Sequence, residues 1–268
     1  FIPVGRGRTA CGDLGAGRLA EPDEIVMFIE AALARPARML RVLVTSGPTA
    51  EPIDDVRVLT NLSSGLTGAG IASHFARCGH HVVLLRGRGS ADAAGPVIDE
   101  TFGSAAELDA ALARRLAAEE FDAIIHAAAV ADFAVEAVET NGAAVTAMPR
   151  KLASDRAPVL HLRRTPKLVE SLRARSRNPA VRIVAFKLTS GADAAAVRAA
   201  VGALFDHAAI DWVVHNDLQA RKDPGNFPAE IHHADGSVVA RCETRTDLAE
   251  TLERLLSAQP PAEPLLST

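Results

Sequence analysis

The chain has 268 residues, with 29 Lys and Arg against 33 Asp and Glu for a net charge of −4, and 48% of it is hydrophobic. This balance excludes a disordered or fibrous chain and gives no global attraction to nucleic acid or an anionic membrane, while Cys11, Cys78 and Cys242 are too few and too scattered for a disulfide framework or a metal-ligand spacing. No apolar run approaches the roughly 20 residues of a membrane span, so a cytoplasmic protein is expected, long enough for one large α/β domain with an appendage.

In chain order, residues 5–22 are rich in Gly and Arg without apolar periodicity and read as a loop. Residues 24–34 have helical spacing that Pro36 ends, so a boundary is expected near residues 35–39. Short apolar strands then alternate with Ala-rich helices, the pattern of a parallel sheet covered on both faces. Strands are predicted at residues 41–46, 81–85, 121–126, 182–186 and 211–215, and helices at 67–78, 105–118, 167–175, 192–205 and 246–256. Residues 229–233 and 237–241 flank Asp235-Gly236, a strong hairpin signal. The expected fold is α/β, a Rossmann-like doubly wound mainly parallel sheet with a C-terminal β-hairpin, and residues 259–268 read as a loose tail.

Two loops at strand ends carry chemistry. The first holds Gly47 and Thr49, then Arg57, and leads through Asn61-Leu62-Ser63-Ser64-Gly65 into a helix containing Gly68. Small and hydroxyl residues let backbone N–H groups approach an anion at the positive end of a helix; the plainer alternative is a loop that only caps that helix. The second runs Ala127-Ala128-Ala129-Val130-Ala131-Asp132 after the strand at 121–126, where open α/β sheets bind ligands. Asp132 can accept from a nucleobase or ribose, or cap the next turn. A loop is expected to run from there to Arg150-Lys151. The basic residues are nearly all Arg, and Lys151, Lys167, Lys187 and Lys222 are the only lysines, so a compact charge on a phosphate is one role for Lys151 and solvated surface another. The spacing of Gly65, Gly68 and Gly70 does not fit a dinucleotide fingerprint, and no Walker A sequence occurs.

The ordered set of residues 45–54, 61–68, 127–133 and 151–154, Thr165-Pro166-Lys167-Leu168, Phe186-Lys187-Leu188 and Asn216-Asp217-Leu218 resembles phosphopantothenate–cysteine ligase over most of residues 41–256. Residues 10–18 with Glu21-Pro22 resemble the closing segment of a phosphopantothenoylcysteine decarboxylase. The resemblance implies a decarboxylase tail and linker over 1–38 and a ligase domain over 39–258. No flavin is expected, because the flavin-binding body is absent from the sequence; Cys11 then has no partner chemistry, and a flavoprotein decarboxylase would be a separate or missing partner. It also implies substrates, 4′-phosphopantothenate, cysteine and CTP or ATP with Mg²⁺ carried by the nucleotide and no protein metal site, and a homodimer, with no nucleic acid or membrane partner. By position the resemblance gives Asn61, Lys151 and Arg57 catalytic roles. It assigns Ala128, Ala129, Asp132, Pro166, Leu168, Phe186 and Lys187 to the nucleotide, and Gly47, Thr49, Ser63, Ser64 and Gly65 to the phosphate loop.

Several positions depart from the bacterial pattern. Leu62, Leu66 and Thr67 replace two basic residues and a methionine, and Leu204 and Ala208 stand where bacterial enzymes carry lysines. The segments around Lys167 and Lys187 are closer to the ATP-using eukaryotic branch, and the front end to the CTP-using bacterial one. Two other classes compete. A nicotinamide-dependent reductase lacks its glycine fingerprint and, with no Tyr in the chain, its Tyr-Lys pair. A non-catalytic scaffold would have no need of Arg57, Asn61, Asp132 and Lys151 together.

Overall fold

A computed structural model describes residues 2, 5–8, 14–34, 36, 38–140, 143–145, 150–152, 157–223 and 225–258. Cys11, Ser154 and the 259–268 tail lie outside the described residues.

The chain opens with an antiparallel ribbon of β1 (Gly5–Arg8) and β2 (Leu14–Arg18), where a loop was expected. Backbone pairing needs no apolar alternation, so composition gave no sign of it. Helix α1 (Pro22–Leu33) starts with Pro22, whose missing N–H costs nothing in a first turn, and lies against α2 (Leu66–Arg77). Between them come β3 (Arg41–Ser46) and a small ribbon of β4 (Ala50–Pro52) and β5 (Val58–Thr60). Next are β6 (His81–Gly87), β7 (Val97–Phe102), α3 (Ala105–Ala118) and β8 (Ala123–His126).

Strands β9 (Phe133–Thr140), β10 (Ala143–Val145) and β11 (Val159–Arg164) form a separate three-stranded antiparallel sheet where a loop was expected. Only Ala134 and Val138 of β9 are buried, so its apolar alternation is too weak to read as a strand. A 3₁₀ turn at Leu168–Ser171 runs into α4 (Leu172–Arg175), followed by β12 (Arg182–Thr189), α5 (Ala194–His207), β13 (Trp212–Asp217), β14 (Ala229–His233), β15 (Val238–Cys242) and α6 (Arg245–Ser257).

The eight-stranded central sheet has the order β15-β14-β13-β12-β8-β3-β6-β7; β12, β13, β8, β3, β6 and β7 are parallel, β14 adds antiparallel to β13, and β15 adds antiparallel to β14. The expected C-terminal hairpin is thus an extension of the main sheet. Val42, Val44, Val82 and Val214 face α2 and α6, while Leu43, Val83, Ile183 and Val213 face α3, α4 and α5. Both faces are buried, which is why these strands are apolar without alternation. From β3 the chain moves outward to β6 and β7, then returns to β8 on β3's other side. That reversal puts a crevice at the carboxyl ends of β3 and β8, where open α/β sheets take ligands.

Candidate functional site

Strand β3 ends in Thr45 and Ser46 and turns at Gly47; β8 ends in His126 and passes into Ala127-Ala128-Ala129. The two exits are laced together. Pro48 bridges Ala129, the Gly47 carbonyl accepts from Ala129 N–H at 2.9 Å, and Thr45 Oγ1 accepts from Ala128 N–H at 3.2 Å and meets His126 Nδ1 at 2.9 Å. Full burial without a charged partner drives the His126 pKa down to about 4, so its imidazole is neutral at pH 7.

The 310 Å³ cleft outside these exits is lined by Ser63, Ser64 and Gly65 from the first loop and Ala128 and Ala129 from the second. Gly65 caps α2 with φ +76°, a left-handed conformation that side chains resist, and its carbonyl accepts from Ser46 Oγ at 2.8 Å. A Cβ on Gly68 would come within 2.5 Å of Ser46, so a glycine there lets α2 start directly over β3. Asn61 is exposed, and its Nδ2 donates to the Ala129 and Val130 carbonyls at 3.2 and 3.3 Å, joining the two loops.

Other residues expected at the site are distributed around it. Arg57 pairs with Asp54 at 2.8 Å and donates to the Leu152 carbonyl at 3.3 Å. Asp54 is buried and also accepts from the N–H groups of Leu152, Val56 and Arg57; the Leu152 bond leads in holding its carboxyl below the usual range. Asp55 N–H donates to Arg150. The segment holding exposed Lys151 is therefore clamped to the β4–β5 turn on both sides of that residue. Asp132 ion-pairs with Lys167, and Thr165 bonds Ala131 and Asp132, so the stretch from Thr165 through Pro166 to Lys167 is gathered at the end of the second loop.

Three residues have different positions from those expected. Leu168 is 5% exposed and packs among Leu172 and Val181, so its side chain belongs to the core. Thr49 is fully buried, with its hydroxyl accepting from Ala131 N–H at 2.9 Å, and it fixes the loops rather than facing the cleft. Phe186 and Leu188 line the cleft, but Lys187 between them points to the other face of the sheet, as strand alternation requires.

The cleft gains its charge from residues that motif reading missed. Arg221 and Arg245 line it, with guanidinium carbons 4.7 and 4.9 Å from the ring centroid of Phe227. Arg245 Nε donates to Thr67 Oγ1 at 3.2 Å, next to Leu66, one of the two positions where the bacterial pattern is basic. Burial, then the neighbouring Arg245 charge, holds the Arg221 guanidinium below its ordinary pKa. Arg221 Nε and Asn216 Nδ2 are buried without a hydrogen-bond acceptor among the described residues, and Asn216 is 5% exposed. Among the described residues no carboxylate lines the cleft. Such a donor set fits an oxygen-rich anion, and any divalent cation there would ride on the ligand's oxygens. The replaced lysine positions have a simpler account: Ala208 is buried and Leu204 packs on the core beneath α5.

Residues 37–253 match the family model "DFP: DNA/pantothenate metabolism flavoprotein C-terminal domain". The chain is 33% identical over 242 residues to the Coenzyme A biosynthesis bifunctional protein CoaBC of Thermococcus kodakarensis, covering 89% of this chain and 56% of that protein, so it spans little more than half of that relative. In fold it is similar to the DNA/pantothenate metabolism flavoprotein of Streptococcus pneumoniae, with a TM-score of 0.71 at 22% identity over 81% of this chain and 98% of the other. It is also similar in fold to a Cab2 mutant solved as a complex with phosphopantothenate-cysteine, with a TM-score of 0.61 at 18% identity over 86% and 90% of the two chains.

Proposed function

Because the chain belongs to the DNA/pantothenate metabolism flavoprotein C-terminal domain family, we propose that it condenses 4′-phosphopantothenate with cysteine at the expense of CTP or ATP, through an acyl-nucleotidylate, in the cytoplasm. The observation that carries this reading is the cleft at the ends of β3 and β8, in which buried donors on Asn216 and Arg221, beside Arg245 and the Ser63–Gly65 loop, have no acceptor among the described residues. The Cab2 complex with phosphopantothenate-cysteine, in the same fold, supports the substrate class.

The chemistry asks little of an acid or base, since a carboxylate is already nucleophilic. In the first step a carboxylate oxygen of 4′-phosphopantothenate attacks the α-phosphorus, and pyrophosphate leaves. The protein's part is to align the reactants and offset phosphate charge. Lys151, held near the first loop by the Asp54 clamp, supplies a compact charge to the triphosphate, while Arg221, Arg245 and the backbone of Ser63–Gly65 receive the phosphate of the pantothenate. Mg²⁺ enters as part of the nucleotide. In the second step the amine of cysteine attacks the acyl carbon and the nucleoside monophosphate leaves. Asn61 Nδ2, now directed at two carbonyls of the second loop, turns to the acyl oxygen as its charge grows. Asp132, Pro166 and Lys167 then lie beside the nucleoside portion.

The deciding experiment incubates the chain with 4′-phosphopantothenate, cysteine, Mg²⁺ and each triphosphate separately and measures pyrophosphate. Release that needs the pantothenate, with either triphosphate, supports the reading and names the nucleotide. Failure with both overturns it.

A further inference from the structure

We propose that His215, Glu230 and His232 form a binding site for one divalent transition-metal ion of the Zn²⁺ class, on the α5 side of the sheet. The proposal does not depend on the nucleotide chemistry, because alternation along β13 turns Asn216 to the cleft and His215 to the opposite face.

The placement follows from sheet register. His215 of β13 lies directly across from Glu230 of antiparallel β14, and His232, two residues on, projects from the same face. One ligand atom from each of the three falls within 4.8 Å of the others. His215 is 7% exposed and His232 6%. Two imidazoles and one carboxylate make a three-ligand set that leaves a fourth tetrahedral position for water or another ligand. A cavity of about 520 Å³ between α5 and β13–β15 leaves room for it.

Two observations indicate that these side chains are arranged for a ligand. The Nε2 atom of His232 is buried and makes no hydrogen bond among the described residues; it stands 3.4 Å from Glu230 Oε2, while Arg241 binds the other oxygen, Oε1, at 2.9 Å. A buried imidazole nitrogen is ordinarily matched, and here a carboxylate oxygen stands 3.4 Å away without completing a hydrogen bond. The second is the tautomer of His215. Asp217 accepts from Thr189 Oγ1 at 2.7 Å and from the N–H groups of Gly191, Ala192 and Gln219, which keep its carboxyl ionised far below the usual range. Thr189 has one hydroxyl proton and gives it to Asp217, so at 2.9 Å from His215 Nε2 its oxygen must accept. His215 is therefore protonated at Nε2, and Nδ1 carries the lone pair. A metal-binding histidine is usually fixed in the same way, by donating its other N–H to an oriented acceptor.

Glu230 and Asp217 share the cavity with Arg198 and Arg241, and Arg241 pairs with Glu230 at 2.9 Å, so the geometry of the ligand set rather than net charge selects the ion.

The test titrates the full chain, stripped with a chelator, with Zn²⁺ by calorimetry and with Co²⁺ by absorption. The expected result is one saturable equivalent at micromolar metal, with visible d–d bands of a low-symmetry nitrogen and oxygen site and no near-ultraviolet thiolate band. Thr189→Val, which frees the His215 tautomer, should weaken binding about 10–100-fold. Glu230→Gln, at a half-exposed position that keeps the fold, should abolish the Co²⁺ spectrum; His232→Gln should do the same, with its fold checked by circular dichroism. No saturable binding, a thiolate spectrum, or unchanged affinity in both Glu230→Gln and Thr189→Val would overturn the proposal.

Discussion

At the scale of single residues, Lys151 and Asn61 divide the proposed reaction. Lys151 is exposed, so Lys151→Gln should leave thermal stability unchanged, whereas loss of one charge-assisted phosphate contact of about 1.5–3 kcal/mol should lower turnover about 10–100-fold. Wild-type turnover at saturating nucleotide would place Lys151 outside the site. Asn61→Asp keeps the shape but replaces a donor by an acceptor, which should raise the second barrier by about 3–4 kcal/mol and let the acyl-nucleotidylate accumulate, visible by mass spectrometry. His126 makes a different prediction, for stability. Its folded pKa of about 4 lies below the ordinary 6.5, so the unfolded chain takes the proton first as pH falls. Stability from this group is complete above pH 6.5 and declines by up to about 3 kcal/mol on the way to pH 4. Urea melts across that range should show the slope in the native chain and a shallower one in His126→Gln.

At the scale of elements, α2 joins fold and site because its first turn both packs on β3 and lines the cleft. Two of its glycines behave oppositely. Gly68→Ala puts a Cβ 2.5 Å from Ser46, and overpacking of about 1–3 kcal/mol exceeds the gain in helix propensity of about 1 kcal/mol, so the variant should lose stability and displace the Ser63–Gly65 loop. Gly70 is exposed with nothing within 4 Å of its missing Cβ, so Gly70→Ala should gain up to about 1 kcal/mol. Chemical denaturation of both variants is the check, and a stabilised Gly68→Ala would mean that α2 is free to shift over β3. The far end of the chain is secured by α6, which opens with a capping box between Thr244 and Asp247 and buries Leu248, Leu252 and Leu256 beside α2. That packing brings Arg245 to the cleft.

At the scale of the whole molecule, the central sheet ends in β15 on one side and β7 on the other, each with an edge that no described strand pairs. Such edges invite pairing with another chain, and the expected homodimer would cover β15 with its copy. Sedimentation at micromolar concentration should give twice the chain mass; a monomer there would show that β15 is protected by its own side chains. Among the described residues no helix is long and apolar enough to cross a membrane.

The sequence by itself determined the elements whose signals are local. The buried strands β3, β6, β8, β12 and β13 stand out as short apolar runs, α3 falls on its predicted bounds, and Ser63–Gly65 and Ala127–Ala129 are visible as small-residue breaks after strands. Weakly alternating strands such as β9, and β7 with its exposed acidic positions, were not legible, because little of their surface is buried. Contacts that span the chain were decided only by tertiary structure. Asp54 reaches Leu152 across 98 positions, and Arg245 reaches Thr67 across 178. The cleft's cationic wall thus comes from the chain's far end, and Lys187 is turned from it by the register of a single strand. Periodicity states which side of an element is buried; which elements then become neighbours is fixed by sheet order and by the burial of both sheet faces, and no local stretch of sequence carries that information.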